Sequence, residues 1–171
     1  MFVRLSAAIA AVSLLSGAAF AAGPTDPQIA HIAYTAGVID VAAAKQALAK
    51  TSNKEVKAFA ENMVSDHEAV NKLALDLCKK LKVTPEDNDT SKILSKNAAD
   101  KLAELAKLNG ADFDKAYVAN EVAYHKAVDS ALETTLIPDA SNSELKSLLQ
   151  TGLKIFQGHE LHAEHIAAEL K

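Results

Sequence analysis

Phe156-Gln157-Gly158-His159-Glu160-Leu161-His162-Ala163-Glu164-His165 holds three of the chain's six histidines and lies in its last long apolar run. Around it, Leu145, Leu148, Leu149, Gly152, Phe156, His159, Ala163, Ile166 and Leu170 recur at three- and four-residue spacing. That spacing puts them on one side of a helix. His159 lies on the stripe, His162 at its edge one turn on, and His165 towards the outer face. A single long amphipathic helix is stable only when its apolar side is covered. The stretch therefore predicts a helical bundle and poses a question: do other helices aim polar residues at the same place?

Three more stretches carry the same period. A helix is expected from Asp26 to Lys50, with Asp26 as N-cap and Pro27 in the first turn. Its stripe is Ile29, Ile32, Ala33, Ala36, Asp40, Ala43 and Ala47. After Thr51-Ser52-Asn53, where Ser52 or Asn53 is the cap, a second helix runs from Lys54 to Lys82. It presents Val56, Phe59, Ala60, Met63, His67, Val70, Ala74, Leu77 and Leu81, and Thr84-Pro85 ends it. Glu86 to Asp89 reads as a solvated loop. Asp89, Thr90 or Ser91 caps a shorter helix from Ser91 to Leu108, broken near Asn97 and stopped by Asn109-Gly110. Another long helix runs from Asp112 to Leu136, with Phe113, Ala116, Tyr117, Tyr124, Ala127, Val128 and Ala131 inward, and Ile137-Pro138-Asp139 breaks it. Ser141 or Ser143 caps the last helix. The links within the first and the last pair of long helices are short, and the link between the two pairs is long. Two antiparallel hairpins joined by a partly helical crossover predict an all-α, ferritin-like four-helix bundle.

Residues 1–21 read differently. Met1-Phe2-Val3-Arg4 is a short positive start, Leu5 to Phe20 is uncharged, and Ala19-Phe20-Ala21 has the small-x-small pattern of a cleavage site. This predicts a secretory signal peptide cut after Ala21, followed by one domain over 22–171. The expectation is an exported, periplasmic protein with no membrane span after signal cleavage. Arg4 is the only arginine, and the whole chain carries a net charge of −4. An acidic chain without the bidentate guanidinium fork, and without a basic aromatic patch, excludes nucleic acid as a partner. Cys78 is alone and reads as a small core hydrophobe. There is no Gly-x-Ser-x-Gly turn, no Gly-rich phosphate loop and no Cys-x-x-Cys pair. No catalytic set emerges, and nothing in the sequence sets an oligomeric state.

The polar residues on the apolar stripes are the informative ones. Asp40, His67 and His159 sit on the stripes of three long helices, and His125 sits at the flank of the fourth with Glu121 one turn before it. Asp40 and His67 lie at similar heights above the first interhelical turn, and His125 and His159 agree equally well from the other turn. One core layer of Asp40, His67, His125 and His159 follows, with Glu121, Glu160 and His162 as additional or supporting groups. Imidazole and carboxylate ligands suit a divalent transition metal: Zn, Cu, Fe or Ni. The di-iron carboxylate pattern needs Glu-x-x-His on two helices. Here Val64 follows Glu61 by three, Tyr124 follows Glu121, and Ala163 follows Glu160, so a histidine-rich mononuclear site fits better. The competing reading is a metal-free envelope interaction or stress protein whose buried polar network is structural, with an envelope protein as partner. An enzyme is the third reading, and the sequence shows it no substrate pocket. His31 falls on the outer face.

Three pieces of the chain resemble a bacterial family known as domain of unknown function 4142, whose members are often labelled predicted outer-membrane proteins. They are Val56-Lys57-Ala58-Phe59-Ala60-Glu61-Asn62-Met63-Val64-Ser65-Asp66-His67, Phe113-Asp114-Lys115-Ala116-Tyr117 followed by His125, and His159-Glu160-Leu161-His162-Ala163. The resemblance spans about Ala30 to Leu170. It implies a ferritin-like four-helix fold and no established activity. The family usually has Glu where this chain has Asp40, which shortens the reach of that carboxylate. No stretch alternates like a barrel strand, so the outer-membrane label finds no support in the sequence.

Overall fold

The computed structural model describes residues 23–170. The expected signal segment lies outside them. Among the described residues the chain is all helix, with no strand: α1 (Asp26–Lys50), α2 (Lys54–Leu81), α3 (Asp89–Ala106), α4 (Gly110–Ala131), a π-helical turn (Leu132–Leu136), α5 (Ile137–Asp139) and α6 (Ser143–Glu169).

Asparagine does most of the capping. Asn53 Oδ1 accepts from the Glu55 and Val56 amides, Asn142 Oδ1 from those of Glu144 and Leu145, and Asn88 Oδ1 from that of Ser91. A short carbonyl arm reaches these orphan N–H groups without strain. The caps expected at Ser141 or Ser143, and at Asp89, Thr90 or Ser91, are corrected accordingly. Asp26 is not the cap of α1; Thr25 precedes the helix in that position. Asp26 instead accepts from the Ser141 and Asn142 amides at 2.8 and 2.9 Å, pinning the α5–α6 link to the start of α1. α3 passes through Asn97 unbroken.

The largest local difference lies before Pro138. The chain does not break at Ile137-Pro138-Asp139 but continues helically to Asp139 through the π turn. Pro138 has no N–H to give the Thr134 carbonyl. The adjoining turn widens, and the Ile137 amide donates to Leu132 O, five residues back, a local π geometry.

Cross-helix pairs give the directions. Lys45 meets Glu68 at 2.8 Å and Gly37 lies against Asn71, so α1 and α2 are antiparallel. At Gly37 a Cβ would fall 2.2 Å from Asn71 Oδ1, so glycine permits this approach. Lys126–Glu164 and Glu133–Gln157 run α4 antiparallel to α6. Asp66–His159 and Lys80–Glu144 do the same for α2 and α6. α3 lies outside, parallel to α1, where Gln46 and Lys50 donate to the Leu102 and Ala106 carbonyls. It carries the chain back along the bundle before α4 begins.

The core has two apolar halves. One gathers Ala43, Ala44, Ala47, Val56, Phe59, Met63, Phe113, Tyr117 and Ile166. The other gathers Ile29, Ile32, Leu132, Leu136, Leu145, Leu149 and Phe156. Residues 40, 67, 121, 125 and 159 fall between these halves on their helices. The expected stripes of α1, α2 and α6 face inward. That of α4 is shifted: Ala127 and Ala131 are exposed, while Glu121, His125 and Asp129 are buried. Alanine contributes little apolar area, so the larger Tyr117, Val118, Leu132 and Leu136 set which side turns in. The polar residues at four-residue steps between them are carried inward.

Candidate metal centre

Asp40, His67, Glu121 and His125 are each no more than 2 % exposed, and His159 is 7 % exposed. α1 supplies Asp40, α2 His67, α4 both Glu121 and His125, and α6 His159. Two ligand-capable groups result: His67, His125 and His159, and Asp40, Glu121 and His125. Within each, one donor atom per residue lies within 4.8 Å of the others. His125 belongs to both. Rather than lying at a flank, it is the hinge of the layer.

The hydrogen bonds leave lone pairs directed inside. His125 Nδ1 donates to the Glu121 carbonyl at 3.0 Å, because a carbonyl can only accept. Its Nε2 is then an acceptor, buried and without a partner. His159 Nε2 lies 2.9 Å from Asp66 Oδ2, while its Nδ1 is buried and unpartnered. A carboxylate holding one ring nitrogen while the other faces a ligand position is the usual support of a metal-binding imidazole. His67 has both nitrogens buried without a hydrogen bond, with Nε2 3.5 Å from Asp40 Oδ2. Phe156 stacks flat on its ring, centroids 4.6 Å apart.

The electrostatics favour neutral imidazoles. Burial, then the His125 and His159 rings, push the His67 pKa down to about 2. Burial brings that of His125 down to about 4, against the opposing bond to the Glu121 carbonyl. Burial and the neighbouring Glu121 hold Asp40 well above the usual carboxylate range, and burial pushes Glu121 up to about 7. The unpartnered ring nitrogens of His67, His125 and His159 beside the Asp40–Glu121 carboxyl pair form a donor set that fits a borderline divalent cation.

The other expected residues are placed elsewhere. His162 is exposed and sets its ring edge against Phe59, 5.2 Å between centroids. Three residues beyond His159, it has rotated off the inward stripe. Glu160 is half-buried and belongs to neither donor group. His165 is exposed beside Glu169. His31 is half-buried, not fully exposed. Cys78 is half-buried, and burial pushes its thiol pKa up. An apolar cavity of about 950 Å³ extends between α3 and the long helices, lined by Ala36, Tyr124 and Phe156 among others and by none of the five residues of the layer.

Two residues escaped the sequence reading. Asp66 stands beside His67 in the chain, yet points to α6. Asp129 lies four after His125 and would have been found by extending the Glu121–His125 step once more. It is 6 % exposed, and neither oxygen receives a hydrogen bond. Burial, Glu160 and Glu133 push its pKa from 3.8 up to about 7. Between those values the folded chain keeps a proton that the unfolded chain has released. The stabilisation is complete below about pH 4 and disappears as pH rises through about 7. In metal-free buffer Asp129→Asn is therefore expected to stabilise the protein at pH 8 by about 1 kcal/mol. That is less than the shift alone implies, because solvent screens this edge of the bundle. The gain should vanish at pH 4 in urea titrations.

Fold and geometry define an all-helical bundle with a buried histidine–carboxylate layer. Its sequence places it in a family: the chain belongs to the Domain of unknown function (DUF4142), whose family model matches residues 12–166. No curated protein and no solved structure matches the chain.

Proposed function

We propose that this is an exported, periplasmic metal-binding protein that holds a divalent transition metal in the layer of His67, His125 and His159, with Asp40 and Glu121 beside it. One observation carries the reading: four ring nitrogens of these three histidines are buried without hydrogen-bond partners, and the three residues bring donor atoms within 4.8 Å of one another. Leaving buried polar atoms unpaired costs about 1–3 kcal/mol each, a burden that a shared cation relieves. Zn, Cu(II), Fe and Ni all suit the donor set. The helix directions support a ferritin-like arrangement: α1 opposes α2, α6 opposes α4, and the crossover through α3 sets α2 and α4 parallel. The short positive start and Ala19-Phe20-Ala21 support export.

Elemental analysis and titration of the mature protein should find one transition metal bound per chain. His67→Ala should abolish stoichiometric binding while His162→Ala preserves it. No binding by the wild type, or equal binding by His67→Ala, refutes the reading. The metal-free alternative, a structural network in an envelope interaction protein, draws support from the Phe156 stack on His67 and from the raised pKa of buried Asp40, which favours its uncharged form. It predicts that chelators leave stability unmoved and that a specific envelope partner is captured.

A further inference from the structure

α3 follows the bundle without closing on it. Of its 18 residues only Ser91 and Leu105 are buried. Leu94, Ala98 and Leu102, four residues apart on one side of the helix, are no more than half-buried. All three line the cavity of about 950 Å³ between α3 and the long helices. Ala127 and Ala131 of α4 line it as well and stay exposed. Two apolar rows therefore share one space and leave it open. α1, α2 and α6 contribute Ile32, Leu77, Leu149 and Phe156. Protein interiors are normally close-packed, with few voids larger than a water molecule. A volume of about 300–1,000 Å³, apolar but for a few polar groups, is that of a ligand site.

The cavity is long, and its charges are sorted. It is lined by Asp26 at the start of α1 and by Ala43 towards the other end, about 25 Å apart by the rise of the helix. One acyl chain covers half of a bilayer's hydrocarbon core, about 15 Å, so the cavity has room for a whole chain. Among the described residues that line it, the acids Asp26 and Asp89 stand where α1 and α3 begin. Lys101 is the only cation among them, about three turns along α3, with Asn97 one turn before it. Lys101 pairs with Glu104 at 2.6 Å, both side chains being about half exposed, and such a surface pair exchanges partners at little cost. We propose that the cavity binds a long-chain fatty acid, its carboxylate at Lys101 and its tail running towards the start of α1. An unbranched apolar body with one anionic head matches both the shape and the placement of charge. The site shares no residue with the histidine layer, so it stands whether or not the layer binds metal.

The probe is cis-parinaric acid, a fatty acid whose fluorescence rises in apolar surroundings. It is titrated into the mature protein in buffer containing a chelator, and palmitate is then added to displace it. The expected result is saturable binding of one molecule per chain and full displacement. Ala98→Phe and Ala127→Phe place a ring in the space from α3 and from α4. Each is expected to weaken binding by about tenfold or more, because the ring crowds the chain. Neither position is fully buried, so the fold accommodates the change, and an unchanged melting midpoint checks this. Ala99→Phe, on the exposed side of α3 and outside the cavity, is expected to leave binding intact. Lys101→Gln is expected to weaken palmitate severalfold and leave uncharged hexadecanol unaffected, since only the acid loses a charge-assisted bond. Absence of saturable binding overturns the proposal. So does binding that is unchanged in both Ala98→Phe and Ala127→Phe. Equal effects of Lys101→Gln on palmitate and hexadecanol overturn the placement of the carboxylate.

Discussion

Saturating Zn²⁺ is expected to raise the melting temperature of the metal-free protein by about 10 °C, and His67→Ala is expected to erase that rise. A ligand that binds only the folded chain stabilises it by RT ln(1 + [L]/Kd), about 4 kcal/mol at a thousandfold excess over Kd. For a domain of this size each kcal/mol moves the midpoint by about 2–4 °C. The condition that only the folded chain binds is met by construction. The candidate ligands come from α1, α2, α4 and α6, separated by up to the length of the domain, and the unfolded chain cannot gather them. His67 is the right residue to remove because it is buried in the middle of the layer, with its neighbours His125 and His159 at ring-centroid distances of 5.8 and 5.2 Å. His162→Ala is the matched control, since that ring is exposed and outside both donor groups. Differential scanning calorimetry with and without a chelator measures the effect. A midpoint unmoved by both Zn²⁺ and chelator would count against the metal reading and for the structural network.

How much of this layer could be read from sequence depended on what each helix could bury. α1, α2 and α6 carry Ile, Val, Phe, Met and Leu at helical spacing, and the periodicity places Asp40, His67 and His159 inward. α4 carries Ala127 and Ala131 in its apolar pattern, and alanine spacing gives no strong direction. The inward side was therefore misplaced by one position there, and Asp129 escaped it. Asp66 escaped for a different reason. Its contact with His159 joins two helices far apart in sequence, and its own helix gives no sign of it. Caps were legible as loops with the right residue types but not as particular residues. Ser, Thr, Asp and Asn all satisfy the same orphan amides, and the choice depends on loop geometry. The π turn was hidden because proline normally reads as a stop, and only continued packing of Leu132 and Leu136 against the core keeps the chain helical past it.

The second large effect is expected on stability alone. Phe59→Ala should destabilise the protein by about 3–5 kcal/mol, against a total of about 5–15 kcal/mol for a domain of ordinary stability. Phe59 is fully buried and forms part of the apolar half nearest the α1–α2 turn. Its ring packs at 6.3 Å from that of Tyr117, which itself stacks on Phe113. Truncation loses the transfer energy of the ring and opens a cavity that the rigid small residues around it, Ala44, Ala47 and Ala60, cannot collapse to fill. Phe59→Leu retains most of the volume and should cost about 1 kcal/mol. His162→Ala, which removes the exposed ring on the other side of Phe59, should cost less than about 1 kcal/mol. Urea denaturation at pH 8 gives these values as shifts in midpoint at unchanged slope. The series also separates the two functions of one stretch of chain. Phe59 and His67 lie two helical turns apart on the same side of α2, one in an apolar half and one in the polar layer. If Phe59→Leu lowers the midpoint while leaving the Zn²⁺-induced shift intact, core and layer are energetically distinct. If the shift falls in parallel, the layer depends on the packing beneath it.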